Sequence, residues 1–410
     1  MSLIIDNYIN ELRQKNKVHL ITNTSQFFRK HKTPFENGFV PIMVEMLDET
    51  EYKTFDVYES GNRSIIFKHK GKWIKAKGIG IPVGFTRPLM RRRDLFTYQL
   101  YNDPGMCHRN ILWGFMHESE YNSELYGFRV AQKLGQRVEL LGMTNFNGVK
   151  CISFKDRIEM FAKLPNIPRE KLLNMFEKEK KKTKAYSIYV KVPTDVRVGE
   201  LLYALIFPEL IDMIDPASIK EYIEWLGSSC GKQLRDFHDV NALHGTWTDN
   251  KTKSLGLLDV HTNAYTGNYL VDEESITMCD FDLSKPVKND NEKEIERWAL
   301  VHVENPLFYA GSHTPEDAVE QGIAKKNVFR EKMAEVFKKA VDKGYHKESF
   351  DLEKSLKREY LVQLIKAKNI LWNLYEIPAN LTGQIDYLDF VVAHKKLDKY
   401  KRIEALKNLN

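Results

Sequence analysis

Short runs that alternate between apolar and polar positions come first along this chain, and long amphipathic stretches come later. From Tyr58 the segment YESGNRSIIFKHKGKWIKAKG breaks into brief β-like runs separated at Gly61-Asn62 and Lys70-Gly71, which predicts tight turns in an antiparallel sheet. FMHESEYNSELYGFRVAQKLG then sets Phe115, Leu125, Phe128 and Leu134 at helical spacing and ends in Gly135, a residue suited to a helix C-cap. Two further β-like runs, RVELLGM and GVKCISF, precede a Lys/Glu-rich stretch around Glu177–Lys184 that reads as a solvated face. AYSIYVKVPTDVRV returns to strand character. Beyond Gly199 the pattern turns helical, in ELLYALIFPELIDMI and SIKEYIEWLGSSCGKQLRDFHDV, with a β-like and turn-rich interruption over 254–283. From Pro315 the chain reads as helices broken near Gly344 and Pro378.

This order predicts an α+β fold of two lobes, a protein-kinase-like architecture with an antiparallel-sheet N-lobe over 57–192 and a helical C-lobe over 193–410 that carries extra C-terminal helices. Residues 1–56, with an amphipathic helix from Ile4 to Gln14 and turns around Lys32–Gly38, form an N-terminal extension packing on the lobes. Composition adds little that is special. Of 410 residues 42% are hydrophobic and 29% charged, enough apolar material for a large core. The net charge of +6, from 62 basic and 56 acidic residues, is interspersed and points to no nucleic-acid partner. Cys107, Cys151, Cys230 and Cys279 stand far apart with no metal-ligand spacing, which predicts buried thiols in a reducing compartment. No run approaches the ~18 apolar residues of a membrane span. The start of the chain lacks a signal-peptide pattern, so the expectation is a cytoplasmic protein with no membrane partner.

The chemistry concentrates after the long helix, in LHGTWTDNKTKSLGLLDVHTNAYTGNYLVDEESITMCDFDLS. Phosphoryl or nucleotidyl transfer needs a carboxylate to position the acceptor, and an Asn and an Asp whose hard oxygens hold Mg²⁺ against nucleotide phosphates. Thr248-Asp249-Asn250 and Asp259 supply those residue types on either side of a short Leu-rich strand.

A set of motifs, in order, resembles the selenoprotein O family, kinase-fold enzymes that transfer AMP from ATP to protein hydroxyls. They are Lys77-Gly78-Ile79-Gly80, then Arg91-Arg92-Arg93-Asp94, then a helix ending Ala131 to Gly135 that selects Glu124. Next come Lys191-Val192-Pro193-Thr194-Asp195-Val196-Arg197-Val198-Gly199, and finally His244-Gly245 with Thr248-Asp249-Asn250 and Asp259. The resemblance implies ATP bound through Lys77, Gly78 and Gly80, with Lys77 held by Glu124. It implies Asp249 as the base, and Asn250 and Asp259 as ligands of Mg²⁺ or Mn²⁺. Lys191, where the family has Arg, and Arg197 would grip an inverted nucleotide, so that AMP passes to a Ser, Thr or Tyr hydroxyl.

DVHTNAYTGNYLVDEESITMCDFDLS also resembles the D-x-H-x-G-N-x-L-V…D-F-D signature of aminoglycoside- and choline-kinase-like phosphotransferases, with four extra residues between His261 and Thr266. In that register Asp259 is the base, Asn268 and Asp280 are the metal ligands, and phosphate passes to a hydroxyl of a protein or small molecule. A third reading is a catalytically silent kinase-like domain that binds nucleotide or a partner.

Overall fold

The computed structural model describes residues 57–60, 64–69, 71–78, 116, 118–149, 183–203, 205, 216–248, 260–303, 305–308, 328–348, 350–374 and 381–382. They form an α+β structure whose residues fall in two compact units, one drawn from 1–121 with 140–191 and the other from 122–139 with 192–410. The expected helix at Ile4–Gln14, the basic run at Arg91–Arg93 and the Lys/Glu-rich stretch before residue 183 lie outside the described residues.

In the first unit β1 (Val57–Ser60), β2 (Ser64–His69), β3 (Lys72–Lys77), β4 (Glu139–Val149) and β5 (Thr183–Val192) lie side by side in the order β1-β2-β3-β5-β4. The β2–β3 hairpin pairs Ser64 with Lys77 and His69 with Lys72, and turns through Gly71 as the pattern predicted. β4 differs from expectation. Two runs were expected, but one strand passes through Thr144–Val149 without a break, and pairing with β5 outweighs the weak strand preference of Asn145 and Asn147.

Helix α1 (Glu118–Lys133) has Glu118 and Glu120 in its first turn and Lys133 in its last, charges that suit its dipole. It stops where the sequence placed the stop: Gly135 adopts φ +74°, and the N–H groups of Gly135 and Gln136 turn back to the carbonyls of Gln132 and Ala131.

The second unit is built on α2 (Val198–Tyr203), α3 (Pro216–Asp239), α4 (Asp290–His302), α5 (Val328–Tyr345) and α6 (Lys354–Leu374). Three short antiparallel pairs sit among them: β6 (Ala242–Leu243) with β11 (Lys285–Pro286), β7 (Thr246–Thr248) with β8 (Val260–Thr262), and β9 (Tyr269–Val271) with β10 (Ile276–Met278). α4 opens with a capping box, in which Asn289 accepts from the N–H of Glu292 and the Glu292 carboxylate accepts from the N–H of Asn289. Among the described residues no helix is long and apolar enough to cross a membrane.

The core of this unit is the crossing of α3 and α5. α3 buries Tyr222, Ile223, Leu226, Cys230, Leu234 and Phe237, a stripe of helical period, and α5 answers with Met333, Phe337, Ala340 and Val341. Glycines let the two backbones approach. A Cβ at Gly231 would overlap the Val341 carbonyl, and one at Gly344 would overlap the Ser228 carbonyl. The helix break expected near Gly344 is found, since α5 ends at Tyr345 and α6 starts at Lys354, and Gly344 is a packing residue as well. The left-handed position that ends α5 is Lys347, with φ +67°. Gly344→Ala is expected to cost about 1–3 kcal/mol through overpacking. A urea titration checks this, and the midpoint should fall.

Candidate functional site

The site is carried by the β9–β10 hairpin. All six of its strand residues, Tyr269, Leu270, Val271, Ile276, Thr277 and Met278, are buried, so the hairpin is fixed on both faces. Its register sets Met278 opposite Tyr269 and so places the flanking residues, Asn268 and Cys279, next to each other. The Cys279 N–H donates to the Asn268 carbonyl at 2.9 Å. At the far end, Asp272 Oδ1 accepts from the N–H groups of Glu274 and Ser275, both at 2.9 Å, and closes the turn.

Directly after β10 the backbone enters a left-handed conformation at Asp280, φ +68°, which a non-glycine residue holds only at a cost of about 1–3 kcal/mol. That turn lets Phe281 point into the core while Asp280 and Asp282 stay half-exposed. Phe281 stacks parallel on Phe237 at 5.7 Å, meets Phe128 edge-on at 4.8 Å and lies 5.2 Å from the His244 ring. Gly127 of α1 presses on the same ring, since a Cβ there would overlap it.

This contact brings Glu124 to the hairpin. Its Oε2 accepts from the N–H of Phe281 at 3.0 Å, and near the end of α1 Gln136 Oε1 accepts from the N–H of Met278 at 3.0 Å. Carboxylate oxygens of buried Glu124 and of Asp280 and Asp282 lie within 4.8 Å of one another. At that separation each pair of ionised carboxylates repels by at least about 3.5 kcal/mol for an effective dielectric constant near 20. Three hard oxygen donors at this spacing suit Mg²⁺ or Mn²⁺, and a bound cation would relieve the repulsion.

An amide network orients the cluster. Asn263 Nδ2 donates to Asp282 Oδ1 at 2.9 Å, and Asn268 Nδ2 donates to the Asn263 carbonyl at 3.2 Å. The guanidinium of Arg197 donates from Nη1 to the Gly267 carbonyl and to Asn268 Oδ1. Arg197 is itself bridged through its backbone to Leu270 of β9. Burial works against its charge, but facing Cys279, Asp280, Glu200 and Tyr265 the guanidinium is held above its ordinary pKa.

The loop carrying Asn263 has an anchor of its own. The Asn263 N–H donates to the Gly245 carbonyl at 2.7 Å, so residues 245 and 263 meet across the base of the β7–β8 pair. Glu296 of α4, fully buried, accepts from the N–H groups of His244 and Gly245, from the Thr246 hydroxyl at 2.9 Å and from His238 Nε2 at 3.0 Å. The Tyr345 hydroxyl closes on His238 Nδ1 at 2.7 Å. His244 Nε2 donates to the Cys279 carbonyl at 3.0 Å, which ties this loop to the hairpin. Burial lowers the His244 pKa below the usual 6.5, against the opposing pull of nearby Glu296.

Of the residues singled out from the sequence, Glu124, Arg197, Asn268 and Asp280 come together here. In the first unit Lys77 ends β3 as a buried residue, and Lys191 is half-buried near the end of β5. Gly78 adopts φ +77°, with the Tyr186 carbonyl and Met116 where a side chain would have to go, so only glycine fits there. Gly80, Asp249, Asn250 and Asp259 lie outside the described residues. Sequence reasoning missed Asp282, Asn263 and Glu296. The i, i+2 carboxylates of DFD offered a signal for the first. Cys230 and Cys279 are buried free thiols, as expected.

Glu296→Ala strands several buried donors and is expected to cost at least ~3 kcal/mol, read as a drop in thermal midpoint. His244 binds a proton less readily folded than unfolded. Its contribution to stability is therefore complete above pH 6.5 and is lost as pH falls below that value. Urea midpoints between pH 7.5 and 5.5 should fall more steeply for the wild type than for His244→Gln, with part of the slope left to His302, whose pKa burial also lowers. In comparisons with family models, with curated proteins and with solved structures, nothing matches this chain.

Proposed function

We propose that this chain is a divalent-cation-dependent phosphotransferase of bilobal kinase-like build, which binds ATP with Mg²⁺ or Mn²⁺ and passes its γ-phosphate to a hydroxyl of a protein or small molecule. The observation that carries the reading is the meeting of Glu124 of α1 with Asp280 and Asp282, which follow the buried β9–β10 hairpin that Asn268 precedes. Those three carboxylates would hold the cation, whose chemistry is to neutralise charge on the nucleotide phosphates. The chain's own contribution is position. Glu124 is aimed by the Phe281 N–H, Asp282 by the Asn263 amide, and Asp280 by the left-handed turn, so little reorganisation accompanies binding. The strain at Asp280 supports the same reading, because residues held in sparsely populated backbone regions cluster at functional sites.

This is the register in which Asp280 serves the cation, with Asn268 beside it accepting from Arg197. Adenylyl transfer, the reading implied by the selenoprotein O resemblance, needs Arg197 free for phosphate, and its guanidinium is engaged by Gly267 and Asn268.

Incubation with α-labelled and γ-labelled ATP and a mixture of candidate acceptors distinguishes the readings. Phosphotransfer moves the γ label alone, adenylyl transfer moves the α label alone, and a silent nucleotide binder moves neither. Asp280→Asn and Asp282→Asn are each expected to lower γ transfer by about a hundredfold or more, because each removes a charged oxygen from the cation. Transfer unaffected by both substitutions would overturn the assignment.

A further inference from the structure

His238, in the last turn of α3, is a buried histidine with both ring nitrogens engaged. Nδ1 lies 2.7 Å from the Tyr345 hydroxyl, and Nε2 lies 3.0 Å from Glu296 Oε2. The glutamate side narrows where the ring proton sits. The Glu296 oxygens already accept from the N–H groups of His244 and Gly245 and from the Thr246 hydroxyl, which marks the carboxylate as an acceptor and His238 Nε2 as a donor to it. With the proton on Nε2, Nδ1 accepts, and the Tyr345 O–H fills that place. Tyr345 is held for the task. The guanidinium carbons of Arg235 and Arg297 each lie 5.4 Å from its ring centroid, and its ring meets the imidazole edge-on at 5.5 Å.

From Glu296 a continuous run of hydrogen bonds leads to the candidate cation ligands. Gly245, whose N–H meets Glu296 at 2.6 Å, accepts at its carbonyl from the Asn263 N–H at 2.7 Å. The Asn263 side chain then donates to Asp282 Oδ1 at 2.9 Å. The neighbours of Asn263 are held from the same side: the Thr246 hydroxyl joins Glu296 Oε1 to Thr262 Oγ1, which accepts from the Ala264 N–H at 2.9 Å. Every member from Tyr345 to Asp282 belongs to the second unit.

We propose that Tyr345 is a positioning residue of the candidate cation site: its hydroxyl donates to His238 Nδ1, sets His238 as the donor to Glu296, and through the loop that Glu296 holds fixes the angle at which Asn263 aims Asp282. The inference rests on the cation-site reading above and gives the end of α5 a part in cation binding, with His238, Glu296, Gly245 and Asn263 standing between Tyr345 and Asp282. Groups that hydrogen-bond a metal-ligating carboxylate contribute about 10–100-fold to metal affinity, so Asn263 has an effect to transmit. A role for Tyr345 confined to packing α3 against α5 predicts something different. Distant residues that share no partner contribute independently, and loss of the hydroxyl would then act equally with or without the Asn263 amide.

The test is a double-mutant cycle in the full-length chain, with Mn²⁺ affinity read by electron paramagnetic resonance for the wild type, Tyr345→Phe, Asn263→Ala and the double variant. Tyr345→Phe, which keeps the ring and loses only the hydroxyl, is expected to weaken binding about fivefold and Asn263→Ala about tenfold, while adding Tyr345→Phe to Asn263→Ala should change affinity by less than about twofold. Unchanged affinity in Tyr345→Phe, or the same fold loss in both backgrounds, overturns the proposal. Neutron diffraction from wild-type crystals checks the first link without any substitution, and it decides the matter should a variant fail to fold. A deuteron on the Tyr345 oxygen directed at His238 Nδ1, with another on Nε2, upholds the proposal, and a deuteron on Nδ1 overturns it. A wild type that takes up no Mn²⁺ overturns the cation-site reading and this role with it, whereas equal losses in the two backgrounds overturn the role alone.

Discussion

Carboxylates repel, and this structure gathers three of them within 4.8 Å where α1 meets the segment that follows the buried β9–β10 hairpin. Each feature nearby bears on that conflict. Two of the carboxylates accept hydrogen bonds, Glu124 from the Phe281 N–H and Asp282 from the Asn263 amide. A buried guanidinium acts on the third. The three carboxylates present hard oxygens, the donor type that a divalent ion such as Mg²⁺ takes.

The cluster holds together because aromatic packing and backbone geometry oblige it to. Phe281 lies between Asp280 and Asp282 in sequence and is locked among Phe237, Phe128 and the His244 ring, so its burial fixes the two flanking side chains. Glu296 performs the corresponding task on the other side. As a buried acceptor for the backbone of His244 and Gly245, it fixes the loop to which Asn263 is hydrogen-bonded. His238 and Tyr345 complete its surroundings and couple this loop to the ends of α3 and α5, whose close crossing forms the core of the second unit.

Much of the local structure was legible in the sequence. The turn at Gly71, the stop of α1 at Gly135 and the long α3 each follow from residues whose backbone preferences or periodicity dominate their surroundings. Asn268 and Asp280 were legible as a pair because both fall in the D-x-H-x-G-N-x-L-V…D-F-D pattern that the segment resembles. Glu124 was selected by counting back from the end of its helix, but its neighbours Asp280 and Asp282 are more than 150 positions away, and no local pattern reports such a meeting. Asn263 and Glu296 were illegible for the same reason. Their partners are chosen by tertiary packing, and a buried glutamate on an amphipathic helix looks the same in sequence as a solvated one. Gly344 marked the end of α5 correctly, but its second role, the close contact with Ser228 of α3, had no local signal.

The most direct measurement is a crystal structure of the full chain grown with Mn²⁺ and examined by anomalous diffraction. The expected result is one strong peak bounded by the carboxylates of Glu124, Asp280 and Asp282. Density showing those three groups turned away from one another, with no anomalous signal between them, would contradict the assignment of this cluster as a cation site.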